Sequence, residues 1–110
     1  MSNQPEPIVV LMTAASSEEA SRIADMLVNR HLAACVQILP EMQSIYLWKG
    51  EVQNEREVLL IAKSTTANFV ALDREVRAIH SYETPEIVAL PIVAGSAGYL
   101  KWLVSCSEGS

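Results

Sequence analysis

Residues Ser44 to Ser64 read SIYLWKGEVQNEREVLLIAKS, and this stretch decides the fold. Two runs of strand-forming residues flank Lys49-Gly50, the signature of a tight hairpin in which glycine supplies the positive φ of the turn. The half nearest the turn is polar and aromatic, with Tyr46 and Trp48 before it and Glu51, Glu55 and Glu57 after it. The far half, VLLIA, is apolar. In it Val58, Leu60 and Ala62 point to one side of a strand and Leu59 and Ile61 to the other, so both faces of this sheet expect cover.

Outward from the hairpin, the chain alternates between two periods. Ile8 to Thr13 (IVVLMT) is a β-branched apolar run suited to a central strand. Ser16 and Glu19 form a helix-start pair, and Ala20, Ile23, Ala24, Leu27 and Val28 repeat at helical spacing. Leu32 to Leu39 is strand-like, and Pro40, which lacks a ladder donor, belongs at a bulge or an edge. After Ser64, a Thr65 or Thr66 cap opens a second helix carrying Phe69, Leu72, Val76 and Ile79 to about His80. Thr84-Pro85 forces extended backbone before a fourth strand, Glu86 to Ile92, and Gly95-Ser96 precede a last short helix.

The order strand, helix, strand, strand, helix, strand is the ferredoxin-like βαββαβ pattern of an α+β domain, here with an extra C-terminal helix. Residues 8–106 are expected to form this single domain, with tails at 1–7 and 107–110. An extended Ala33–Trp48 would span roughly 50 Å, against a diameter of about 35 Å for a compact domain of this length. The hairpin must therefore project, and self-association is the expected remedy.

Composition narrows the function. With 110 residues, net charge −5 and a mean hydropathy of +0.20, the chain lacks the basic face that nucleic acid requires. No apolar run approaches a membrane span, and MSNQPEP has no export-signal character, so a cytoplasmic setting is the expectation. Cys35 and Cys106 are then expected as free thiols. No nucleophile–base motif and no metal motif such as Cys-x-x-Cys is present, so the chain is not expected to be an enzyme. Cys35 reads as a small hydrophobe in a strand and His80 as a capping or exposed residue. Glu57 and Lys63 share a strand face about 20 Å apart, too far to pair with each other. Each sits at a solvated strand end or meets another subunit. Tyr82, Glu83 and Glu86 cluster about Pro85, and Tyr99 and Trp102 read as packing residues on one helix face.

Ala33-Ala34-Cys35-Val36, Ser44 to Gly50, Lys63-Ser64-Thr65, Tyr82-Glu83-Thr84-Pro85-Glu86-Ile87 and Tyr99 to Leu103 together resemble the CutA divalent-cation-tolerance family over about residues 8 to 104. The resemblance implies a ferredoxin-like subunit, a homotrimer whose architecture is similar to that of PII signalling proteins, a bacterial cytoplasmic setting, and a role in tolerance to copper and other divalent cations. It implies intersubunit clefts bordered by Tyr46, Trp48, Glu57, Lys63, Tyr82, Glu86, Tyr99 and Trp102. Some bacterial relatives carry a cysteine in the first strand and two adjacent histidines before Tyr-x-Thr-Pro-Glu, where this chain has Met12 and Ile79-His80. A metal site would then fall to Met12, Cys35 and His80, a set suited to Cu(I) if the three converge. The alternative expectation is a PII-like sensor that binds a small polar ligand between subunits.

Overall fold

In the computed structural model, which describes residues 4–108, the first strand starts earlier than the apolar run suggests. β1 covers Pro7–Ala14, α1 Ser17–Asn29, β2 Cys35–Trp48 and β3 Glu51–Thr65. A 3-10 turn, Thr66–Asn68, leads into α2, Phe69–Ile79, followed by β4, Ile87–Pro91, and α3, Ala97–Cys106. The sheet order is β2-β3-β1-β4 with all neighbours antiparallel, the ferredoxin-like arrangement expected from the element order.

The two-residue period of β1 and β3 sorts the sheet into faces. Val10, Met12, Leu60 and Ala62 are fully buried beneath Ala20, Ile23 and Leu27 of α1 and Leu72 and Val76 of α2. On the opposite face Val9, Leu11, Leu59 and Ile61 are only half-buried, and Leu39, Val88 and Leu90 are exposed. Among the described residues neither α1 nor α2 covers that apolar face. α3 crosses one end of it, where the Tyr99 hydroxyl lies 3.7 Å from Cys35 Sγ.

β1 reaches only as far along β3 as Val58. Beyond that point Met42–Trp48 and Glu51–Glu57 pair with each other alone, as a two-stranded ribbon. The ribbon makes the molecule 43 Å long against 25 and 22 Å across. Its turn has φ of 52° at Lys49 and 81° at Gly50, the left-handed pair of a type I′ turn, with Trp48 opposite Glu51. Pro40 stands on the outer strand, where a missing donor costs no ladder bond, and the register shifts between Pro40 and Met42.

Several expected boundaries, and the exposure of His80, need correction. Glu6 and Pro7, read as tail, are tied down: Thr66 N donates to Glu6 O (2.8 Å), Glu6 N donates to Thr66 Oγ1 (3.0 Å), and Pro7 faces Thr65. Of the tail residues, 1–3 and 109–110 lie outside the described residues. Ser107, also read as tail, is buried, and its carbonyl accepts from Asn68 Nδ2. The second helix starts at Phe69 because the 3-10 turn intervenes. His80 stands at the C-cap of α2, as read, but is not exposed: its imidazole has 0% exposure. Both cysteines are free.

Candidate ligand cleft

The cleft grows from the strand period of the ribbon. Ser44, Tyr46 and Trp48 alternate along β2 and stand opposite Glu55, Gln53 and Glu51 of β3, so one ribbon face carries the aromatic and acidic side chains together. Across from it runs the segment after α2. His80 leaves the helix in extended conformation, and residues 81–84 bend before Pro85, which disfavours helical backbone at Thr84. Between the two walls lies a cleft of about 760 Å³, floored by Thr13 and lined by Tyr46, Trp48, Glu55, Glu57, Tyr82, Glu83 and Glu86 among others.

A polar network fixes the second wall. Glu19 is nearly buried, and its carboxylate accepts from Ala15 N (2.9 Å), Ser81 N (2.7 Å) and Ser81 Oγ (3.1 Å). Burial alone would raise the carboxyl, but the hydrogen bonds from Ala15 and Ser81 outweigh it and hold Glu19 below its ordinary value. His80 sits beside it. Tyr82 N donates to Nδ1 (3.0 Å), which leaves the proton on Nε2 to donate to Thr13 O (2.7 Å). The His80 and Tyr82 rings lie 4.8 Å apart, and the Tyr82 hydroxyl donates to Glu57 Oε2 at 2.7 Å. Burial, then that bond to Glu57, pushes the Tyr82 phenol well above its ordinary value. Tyr46 is also raised, by desolvation and then by the Glu55 charge.

Four carboxylates and three aromatic rings thus border one space, and among the described residues no Lys, Arg or His lines it. Tyr46, Trp48, Glu57, Tyr82 and Glu86 of the sequence-based candidates come together here. Lys63, Tyr99 and Trp102 do not. Lys63 Nζ donates to Gln37 Oε1 (2.9 Å) at the other end of β3, opposite Cys35, and the Tyr99 and Trp102 rings stack 5.5 Å apart near it. Tyr99 and Trp102 are also more exposed than packing residues would be, at 43% and 44%. Cys35 first, then desolvation, raises the Tyr99 phenol. Thr13, Ser44, Ile45, Gln53, Glu55, Ser81, Glu83 and Thr84 stand outside the eight sequence-based cleft candidates. Strand alternation from Tyr46 and Glu57 would have found Ser44 and Gln53. Nothing local marks Thr13 or Ser81.

The soft metal donors do not meet. Met12 is fully buried on the helix-covered face, whereas Cys35 pairs with Lys63 on the other face of the sheet. His80 has both ring nitrogens engaged. Among the described residues no group of three or more His, Cys, Asp or Glu is arranged to hold a metal ion. These residues therefore do not fit a copper site within one chain.

The family model for the CutA1 divalent ion tolerance protein matches residues 8–106. The chain belongs to the CutA1 divalent ion tolerance family. The CutA divalent-cation tolerance protein of Thermus thermophilus is 53% identical over 95 residues, covering 86% of this chain and 92% of that protein. A solved CutA1 structure from the same organism superposes with a TM-score of 0.88 at 50% identity, over 90% of this chain and 96% of the other. The Oryza sativa CutA1 crystal structure superposes at 0.91 and 41% identity, over 97% of both chains. The chain spans 58% of a rice relative named as chloroplastic, at 42% identity over 94% of this chain. An Archaeoglobus fulgidus CutA is described as periplasmic. No helix among the described residues is long and apolar enough to cross a membrane.

Proposed function

We propose that this CutA-family protein works as a homotrimer in tolerance of divalent cations, without enzymatic activity of its own. The ribbon carries this reading. An isolated two-stranded hairpin is at best marginally stable in water, yet here Leu47 and Val52, opposite one another near its tip, are 71% and 70% exposed. Together with the uncovered sheet face, they call for neighbouring copies, and the family resemblance supplies the number three. A cytoplasmic setting completes the reading.

Assembly also bears on the metal. The described residues of one chain offer no preformed cation cage, so the carboxylates that a divalent ion needs would converge from neighbouring subunits or bind it loosely through hydration water. Copper is the least supported choice of ion, because the thiol, the thioether and the imidazole stand apart. A PII-like response to nucleotides has weaker support still, since the cleft presents four carboxylates and no cation.

Light scattering at micromolar concentration tests the assembly; about three times the 12.1 kDa chain mass is expected, and a monomer would refute it. Calorimetry with Cu(II), reduced Cu(I) and Mn(II) tests the cation, and no heat up to millimolar concentration would remove direct cation binding.

A further inference from the structure

The cleft's chemistry is not that of an ordinary metal site. A hard divalent ion takes six or more oxygen donors in a tight shell, whereas the carboxylates here are spread over two walls, Glu55 and Glu57 on the ribbon and Glu83 and Glu86 on the facing segment. Between them stand Tyr46, Trp48 and Tyr82. Tyr46 and Trp48 are 38% and 40% exposed, so their rings still have area for a ligand to cover. Glu57 is 7% exposed, and its Oε2 is already taken by Tyr82. The protein itself reports what these rings attract: Lys49 folds back so that its Nζ stands 5.7 Å from the centre of the Trp48 ring. An ammonium over an indole face is a favourable electrostatic pairing, and this one is supplied by the chain's own turn.

We propose that the cleft binds an organic polyamine cation, an alkyl chain with ammonium groups at its ends. The carboxylates of the two walls would take the ammonium groups, and the aromatic rings the alkyl body and the nearer charge. The volume of about 760 Å³ is in the range of small-molecule sites. An anion is excluded by the same four carboxylates. A neutral ligand of equal shape would forgo both the ion pairs and the ring–cation attraction. Every wall belongs to one chain, so the inference does not rest on the trimer or on metal binding, and it can fail while both of those stand.

The test is fluorescence of Trp48 in a Trp102→Phe background, titrated with spermidine and putrescine, with 1,4-butanediol as the neutral control. A saturable change is expected with the amines and none with the diol. Glu83→Gln with Glu86→Gln, at two exposed positions, should weaken binding by roughly two- to fivefold per carboxylate. The proposal is overturned if the amines give no saturable change at millimolar concentration, if the diol matches them, or if Mn(II) saturates the same signal and spermidine does not compete. It is equally overturned if the response appears only on dilution to monomer, since a second copy would then be the cleft's occupant.

Discussion

Glu19 joins the first helix to the wall of the cleft, and replacing it measures that joint. In Glu19→Ala, three hydrogen bonds to a carboxylate disappear, from Ala15 N, Ser81 N and Ser81 Oγ. Bonds to a charged group contribute about 1.5–3 kcal/mol each. Ala15 and Ser81 are exposed, however, so water recovers part of the loss. A net cost of about 2–4 kcal/mol is therefore expected at pH 7. For a domain of this size that is a drop in Tm of roughly 8–16 °C. The pH dependence gives a second, independent arm. Because folding holds the Glu19 carboxyl below its ordinary 4.5, its contribution is complete above that value and fades as pH falls through the lower folded-state value. The gap between wild type and variant should accordingly narrow at pH 3. Calorimetry or urea unfolding at matched protein concentration, at pH 7 and pH 3, reads both arms. A cost below about 1 kcal/mol at pH 7, or one that is unchanged at pH 3, refutes the idea that Glu19 anchors the Ser81–Tyr82 segment through its charge.

Three further outcomes follow from named contacts. Tyr82→Phe leaves the nearly buried Glu57 carboxylate without its donor and should cost about 1–3 kcal/mol in urea unfolding; in wild type the same hydroxyl should be the last of the tyrosines to ionise by ultraviolet absorbance, and stability should fall as pH rises above 10, where the unfolded chain ionises first. Gly50→Ala meets no atom within 4 Å, so its expected cost of about 1–2 kcal/mol is backbone strain alone at φ +81°, and Gly50→Asn should recover much of it. Leu47→Glu with Val52→Lys, on the side of the ribbon away from the cleft, should lower the mass found by light scattering; an intact assembly would show that this surface is not buried between copies.

The parts of the molecule governed by local periods were legible in the sequence. Alternation along Val58–Ala62 separated the two sheet faces, the Lys49-Gly50 pair set the turn, and the length of Ala33–Trp48 required projection, which the 43 Å axis bears out. What escaped was non-local. The Ser16–Glu19 pair reads as a self-contained helix cap, and half of it is: Glu19 N does donate to Ser16 Oγ (3.1 Å). The carboxylate instead reaches Ala15 and, across 62 residues, Ser81, a destination no spacing rule encodes. Asn68 is similar. It reads as part of a helix start, yet its amide donates to the carbonyls of His31 (3.1 Å) and Ser107, closing the C-terminal end of the fold. Within one chain the eight cleft candidates fall into two places. Glu57 and Lys63 stand at opposite ends of the shared part of β3, and the residues near each follow them.

The separation of those two groups fits the division of labour within the ribbon. Because side chains alternate, the ribbon has two surfaces that can be specified independently. One bears Ser44, Tyr46, Trp48, Gln53, Glu55 and Glu57 and faces the cleft; the other bears Leu47 and Val52 near the tip, with Gln43, Asn54, Arg56 and Ile45, which also borders the cleft, behind them. A neighbour that covers Leu47 and Val52 removes apolar surface from water without needing the cleft face at all. A ligand in the cleft, conversely, touches residues whose backbone that neighbour holds straight. Assembly and binding then draw on different residues of the same two strands, and a change at one is felt at the other only through the stiffness of the ribbon. In the proposed assembly the projecting ribbon also holds a wall of aromatic and acidic side chains in front of Tyr82.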